Sequence, residues 1–257
     1  MTSAFRRTPS RMSNEYILFD LPSRGTPTGW SLNPWKARLV LNYKNLPYKT
    51  QWVEYPDLAP TYKSFGIPPN DPKTNAAAEY SSPAIKHPDG HFTMDSLAIA
   101  HGLEESHPSP SLHLDSPVNE RAQTAILDFQ KALAAVIMPR VPEMLLNPPS
   151  EEYFRRTRAK RFGMELADLA KSEQAGETAW KNAEPALEKI KALLCEDESG
   201  PYVLGKEASF ADFILAGAWR FYERMDKDGD LLGRIMKFDE SFPRHHEACK
   251  KWLERDD

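Results

Sequence analysis

The period of the apolar pattern changes once along the chain, and that change divides the fold. Up to about residue 106, short β-favouring runs alternate with single helical stretches; from residue 117 onward every long apolar pattern repeats at helical spacing. The reading is a polar, flexible tail over 1–14, a mixed α/β domain over 15–106, a linker rich in proline, histidine and serine over 107–116, and an all-helical domain over 117–257. A length of 257 residues suits two such domains.

Tyr16-Ile17-Leu18-Phe19 reads as a buried strand stopped at Pro22. After a loop at Ser23 to Gly29, Asn33-Pro34 opens a helix. Trp35, Leu39, Val40 and Tyr43 form its apolar face, with Lys36, Arg38 and Lys44 directed elsewhere. Tyr48 to Glu54 returns to strand. Residues 56–81 hold five prolines and one short helical possibility, Thr61 to Phe65, which makes a long connection of the kind that often serves function. Two short strands, Ser82 to Lys86 and Phe92 to Met94, flank a turn at Asp89-Gly90, and Asp95-Ser96 caps a helix through Leu97, Ile99, Ala100 and Leu103. The order is βαβ, loop, ββα.

In the second domain one stripe runs from Ala122 to Ile137, closed by Pro139 and Pro142. A second helix is expected from Ser150, and a third stripe runs from Trp180 to Leu194, with Pro185 imposing a kink or a later start. Ser209 and Asp212 form a capping box ahead of the apolar helix through Ile214, Leu215, Ala218 and Trp219. On its own such a box reports only helix stability.

Composition excludes several function classes. No apolar run approaches the roughly 20 residues of a membrane-spanning helix. Arg6 and Arg7 precede Thr8-Pro9-Ser10-Arg11 rather than an apolar segment, so a secretory signal is not expected and a cytoplasmic setting is. Residues 1–115 carry 11 basic and 11 acidic groups and residues 116–257 carry 22 and 26, which is no nucleic-acid binder's charge pattern. The two cysteines, Cys195 and Cys249, are too few for a disulfide framework.

Taken in order, the βαβ-ββα domain, the proline opening its third strand, the Asp-Ser helix start and the capping box of a late apolar helix resemble a cytosolic glutathione transferase over about residues 15–250. That resemblance implies a thioredoxin-like N-terminal domain followed by a helical-bundle C-terminal domain. The segments Trp30-Ser31-Leu32-Asn33-Pro34-Trp35-Lys36-Ala37-Arg38 and Trp52-Val53-Glu54-Tyr55-Pro56-Asp57 are similar to the fungal transferases related to bacterial β-etherases, which use a serine at the position of Ser31. The resemblance implies glutathione as cosubstrate. Ser31 would serve its sulfur, and Ser82, ahead of a cis Pro83, would pair with the cysteinyl backbone. Asp95 and Ser96 would hold the γ-glutamyl end, with Lys63 a candidate for the glycyl carboxylate. Asn33 joins the set as a neighbouring donor, and Asn33 or Tyr16 would take the sulfur's hydrogen bond if Ser31 did not. Both the first strand-to-helix loop and the 56–81 loop are longer than in common transferase classes.

The chemistry fits these residue types. A free thiol titrates near 8.5, so only a few per cent is thiolate at pH 7, and a charge-assisted hydrogen bond of roughly 1.5–3 kcal/mol lowers that pKa by about one to two units. Serine donates such a bond without competing as a nucleophile. Ser31 also reads as a simple helix cap, and Pro83 as a trans proline at a strand start. At Asp95-Ser96 the cap and a carboxylate site are compatible, since the same free amides can receive an anion.

Other motifs are weaker. Asp226-Lys227-Asp228-Gly229-Asp230 lacks the glycine and glutamate positions of a calcium loop. In the basic run 155–161, Glu151 and Glu152 stand four residues before Arg155 and Arg156, giving a salt-bridged helix face. His245-His246 read as surface histidines. No metal site is expected. The function expected is attack of glutathione on a hydrophobic electrophilic small molecule, giving a conjugate, ether cleavage or cis-trans isomerisation as in secondary metabolism; the alternative is a non-catalytic ligand-binding or protein-interaction module of the same fold. A disulfide reductase is disfavoured because the first domain has no cysteine. Family habit adds a homodimer.

Overall fold

The computed structural model describes residues 15–73 and 78–257. The tail expected over 1–14 lies outside the described residues. In chain order the first domain runs β1 (Tyr16–Asp20), α1 (Leu32–Tyr43), β2 (Tyr48–Trp52), a 3-10 turn (Tyr55–Asp57), α2 (Leu58–Ser64), β3 (Ala84–Lys86), β4 (Phe92–Met94) and α3 (Ser96–Ser106). The sheet order is β2-β1-β3-β4, with β1 parallel to β2 and antiparallel to β3, and β3 antiparallel to β4. Phe19 pairs with Ala84 and Ala84 with Met94. The end of β1, the start of β3 and the end of β4 therefore meet at one edge, and α1 begins beside it. This is the thioredoxin-like arrangement.

The helices that follow are α4 (Val118–Ala132), α5 (Ala134–Ile137), α6 (Arg140–Leu145), α7 (Pro148–Phe162), α8 (Leu166–Leu169), α9 (Gly176–Leu194), α10 (Phe210–Glu223), α11 (Leu232–Met236) and α12 (Ser241–Leu253). The stripe from Ala122 to Ile137 is thus two helices, broken at Leu133. Pro142 sits inside α6, and α7 starts two residues before Ser150. Pro185 neither delays nor ends α9, which begins at Gly176 and continues to Leu194. The helical possibility at Thr61 to Phe65 is the second half of α2, entered through the 3-10 turn. Among the described residues no helix is long and apolar enough to cross a membrane.

The expected direction of three cations fails for one physical reason. Lys36, Arg38 and Lys44 do not face solvent: they are 4%, 0% and 7% exposed. α1 lies between the sheet and the helical domain, so each cation turns to an acceptor on a neighbouring element, buried in the case of Asp20 and partly buried in the others. Lys36 Nζ donates to Gln123 Oε1 at 2.8 Å, Arg38 Nη2 to Asp20 Oδ2 at 2.8 Å, and Lys44 Nζ to Glu104 Oε2 at 2.6 Å. The approach of the second domain is set at Gly217 on α10, where a Cβ would stand 3.2 Å from Leu32 O and from Trp35 Cβ.

His245 is likewise no surface residue; it is 0% exposed. Trp219 Nε1 donates to its Nδ1 at 3.1 Å, which leaves the proton on Nε2, donated to Asp212 Oδ1 at 3.1 Å. Asp212 also takes Ser209 N at 2.7 Å and Val203 N at 2.8 Å. The capping box is therefore one corner of a buried network joining α10 to α12.

A buried ion pair costs much to break because the survivor is left charged and unpaired. Asp20→Ala is expected to lower the unfolding free energy by about 3–5 kcal/mol in urea titration, and Asp20→Ala/Arg38→Met to recover most of it. A loss under about 1 kcal/mol for the single variant would remove Asp20–Arg38 as a support of α1.

Candidate functional site

α1 starts in a cleft between the domains. Ser31 is its N-cap, in extended conformation, and its hydroxyl makes no capping hydrogen bond, although Trp35 N donates to Ser31 O at 3.2 Å. Pro34 in the first turn has no N–H to satisfy. The positive end of α1 and a free hydroxyl thus open together into a cavity of about 710 Å³, within the range of small-molecule sites.

Ser31 and Asn33 line that cavity together, as do Trp30, Tyr55, Phe154, Arg158, Arg161, Phe162 and Phe221. Trp30 is fixed by donating its Nε1 to Pro22 O at 3.2 Å. The loop before it is pinned to the second domain, since Arg24 N donates to Leu145 O at 2.7 Å and Arg24 Nε to Leu146 O at 2.9 Å. Tyr55 is held from the other side. Its N–H donates to Ser150 Oγ at 2.9 Å, Ser150 Oγ donates to Glu54, and Asn147 Nδ2 donates to Glu54 Oε1 at 2.9 Å. The long loop departure is thereby anchored on the start of α7. Burial pushes the Tyr55 phenol up, against the opposing pull of Arg158, so Tyr55 stays a hydrogen-bond donor at neutral pH.

Ser82, Pro83, Asp95 and Ser96 form a second cluster at the sheet edge rather than part of the cavity wall. The Ser82-Pro83 peptide is cis, and Asp95 N donates to Pro83 O at 3.1 Å. Asp95 has φ of +85°, an unusual conformation for a non-glycine residue, and its Oδ1 accepts from Leu97 N at 2.9 Å and Ala98 N at 3.1 Å. The expected cap is present, and it occupies the Leu97 and Ala98 amides. Ser96 is buried, at the first turn of α3.

Lys63 joins neither cluster. It is exposed, 3.8 Å from Glu79 and over the Tyr80 ring. Tyr16 is also engaged elsewhere, its hydroxyl sharing a hydrogen bond with His107 Nε2 at 2.9 Å, which withdraws it as a substitute for Ser31.

Sequence reasoning missed Lys36, one turn into α1 and within the field of Asp95. Burial pulls its amine down from 10.5 to about 8, with Asp95 opposing. Its position five residues after Ser31 carried no signal, because lysine on an amphipathic pattern reads as a solvent residue. Tyr55, Arg158 and Arg161 were missed because they reach the cavity from other elements.

Comparisons with known proteins agree with the architecture. Residues 30–106 match the family model of the glutathione S-transferase N-terminal domain, and residues 122–252 that of the C-terminal domain. The glutathione S-transferase-like protein ustS of Aspergillus flavus is 31% identical over 249 residues, covering 90% of this chain and 87% of its own. A glutathione S-transferase of Ceriporiopsis subvermispora, solved in complex with glutathione, superposes with a TM-score of 0.79 at 29% identity over 94% of this chain and 99% of that one. Glutathione transferase GSTFuA2 from Phanerochaete chrysosporium gives a TM-score of 0.80 at 28% identity over 95% and 100%. The chain belongs to the glutathione S-transferase family.

Lys36 sets a pH test of the site's electrostatics. Its folded pKa, about 8, lies below 10.5, so between these values the unfolded chain binds a proton that the folded chain does not, and stability rises with pH. Relative to Lys36→Met, the parent is expected to gain on the order of 3 kcal/mol from pH 8 to 10.5 in denaturant titrations, with the gain lost as pH falls through 8. A flat difference would return Lys36 to a solvated state.

Proposed function

We propose that the protein is a serine-type glutathione transferase in which Ser31 donates a hydrogen bond to the cosubstrate sulfur. The observation that carries this reading is the Ser31 hydroxyl, free of any capping bond at the positive end of α1 and open to the cavity. Family membership supports glutathione as the cosubstrate, whose thiolate supplies the nucleophile when bound.

Each residue then has a separable task. Ser31 Oγ holds its hydrogen toward the sulfur, and the unpaired amides at the start of α1 add positive potential in the same direction. Asn33, on the same turn, supplies a second polar group. The Ser82 backbone, beside the cis peptide, offers its N–H and C=O to the cysteinyl backbone. Asp95 takes the γ-glutamyl ammonium group and Ser96 its carboxylate, with Asp95 within the electrostatic reach of Lys36. Lys63, turned toward Glu79, is a poor match for the glycyl carboxylate. An apolar electrophile fits between Trp30, Tyr55, Phe154 and Phe221. Within this reading the outcome is conjugation, ether cleavage or reversible addition giving isomerisation, and the protein acts as a homodimer in the cytoplasm. Light scattering at micromolar concentration tests the dimer; a monomer mass removes it.

If the bond to Ser31 lowers the thiol pKa by about one to two units, Ser31→Ala should reduce turnover of a generic electrophile at pH 6.5 by about ten- to a hundredfold. The deficit should shrink toward pH 8.5, where the free thiol ionises unaided, with glutathione affinity by calorimetry little changed. A pH–rate profile overlaying the parent would discard Ser31. Retention on immobilised glutathione without turnover of any electrophile would instead favour a binding module.

A further inference from the structure

The cavity beside Ser31 is lined by three cations, Lys131, Arg158 and Arg161, and by no aspartate or glutamate among the described residues. This runs against the molecule's net charge of -4. It also runs against the pairing of the helix that supplies two of the three. On α7, Arg155 Nη2 lies 2.9 Å from Glu151 and Arg156 Nε lies 3.0 Å from Glu152, the i, i+4 pairs the sequence announced. One turn further the pattern stops. Four residues before Arg158 and Arg161 stand Phe154 and Thr157, and neither arginine forms an ion pair among the described residues.

Arg158 is nonetheless held in place. Its guanidinium carbon sits 4.4 Å from the Phe154 ring centroid and 5.8 Å from that of Tyr55, and its Nη1 donates to Thr157 Oγ1 at 3.0 Å. Stacking fixes the plane while leaving most of its N–H groups for a ligand. Arg161, three residues on, is its neighbour on the helix surface, so the two present donors side by side. Like charges gathered in a concave, aromatic-walled space focus a positive field, and their mutual repulsion is relieved when an anion enters.

Resting on the proposed transferase reading, we infer that the electrophilic substrate is an aromatic or otherwise apolar molecule carrying a carboxylate, bound through Arg158 and Arg161 with its reactive carbon at the Ser31 end. Two parallel N–H···O bonds from a guanidinium match a carboxylate and orient the molecule that bears it. Trp30, Tyr55 and Phe221 take the apolar body. Arg158 and Arg161 are specificity residues in this scheme; neither acts on the sulfur.

The test compares 4-chloro-3,5-dinitrobenzoate with neutral 1-chloro-2,4-dinitrobenzene on the full chain with glutathione. After correction for uncatalysed rates, kcat/KM should favour the carboxylate at least tenfold. Arg158→Gln/Arg161→Gln should lower that ratio at least tenfold through the KM of the carboxylate, and Arg156→Gln, paired to Glu152 outside the cavity, should keep the parent ratio. Binding is measured separately by calorimetry with the unreactive pair 3,5-dinitrobenzoate and 1,3-dinitrobenzene, so the preference is read even in a chain without turnover. Loss of turnover with the binding preference intact counts against the transferase reading alone. Equal use and equal binding of the two partners of each pair overturns the inference, as does a double variant that weakens glutathione itself and leaves the ratio unchanged, which would put these cations on the tripeptide's own carboxylate.

Discussion

Enclosure of most of α1 is the constraint from which the remainder of the molecule follows. A helix between a sheet and a second domain has little solvent face, so the charges buried on it must find partners on the neighbouring elements. Arg38 finds Asp20 at the end of β1, Lys36 finds Gln123 on α4, and Lys44 finds Glu104 on α3. These contacts tie α1 to the sheet, to the helical domain and to α3. Gly217 completes the enclosure, because a side chain there would press on the Leu32 carbonyl and the Trp35 Cβ. The same packing fixes where α1 begins, and so where the Ser31 hydroxyl stands.

Much of the fold was legible because it is written in local patterns. The β1 run, the Asp89-Gly90 turn, the Asp95 cap and the Ser209–Asp212 box each depend on residues within a few positions of one another. Lys36, Arg38 and His245 were misread for the opposite reason. Periodicity assigns polar residues to the water side, and the acceptors that reverse the assignment, Gln123, Asp20 and Asp212, lie on other elements. The break at Leu133 and the passage of α9 through Pro185 belong to the same class, since packing against neighbouring helices overrides a local preference.

For the site the division is similar. Ser31 and Asn33 are adjacent in sequence and at the head of one helix, so their shared cavity follows from a local start signal. Tyr55 reaches that cavity only because Ser150 and Glu54 fasten its loop to α7. Arg158 and Arg161 were half legible. The arithmetic that paired Arg155 and Arg156 with glutamates finds no acid four residues earlier for these two, and that absence is itself a signal.

The electrostatics of the cavity then have a single sense. The head of α1 contributes positive partial charge at Ser31, and Lys131, Arg158 and Arg161 contribute full charges across the aromatic floor. A field of this sign favours a thiolate over a thiol. It also admits a carboxylate that would otherwise be repelled by that thiolate, so one arrangement of charge can serve both partners of the proposed reaction. Glu54 is held by Asn147 and Ser150 and Asp20 by Arg38, and neither lines the cavity. The charge of the cavity is thus left to the helix head and the three cations, and the Asp20–Arg38 pair belongs to the same enclosure of α1 that sets where Ser31 stands.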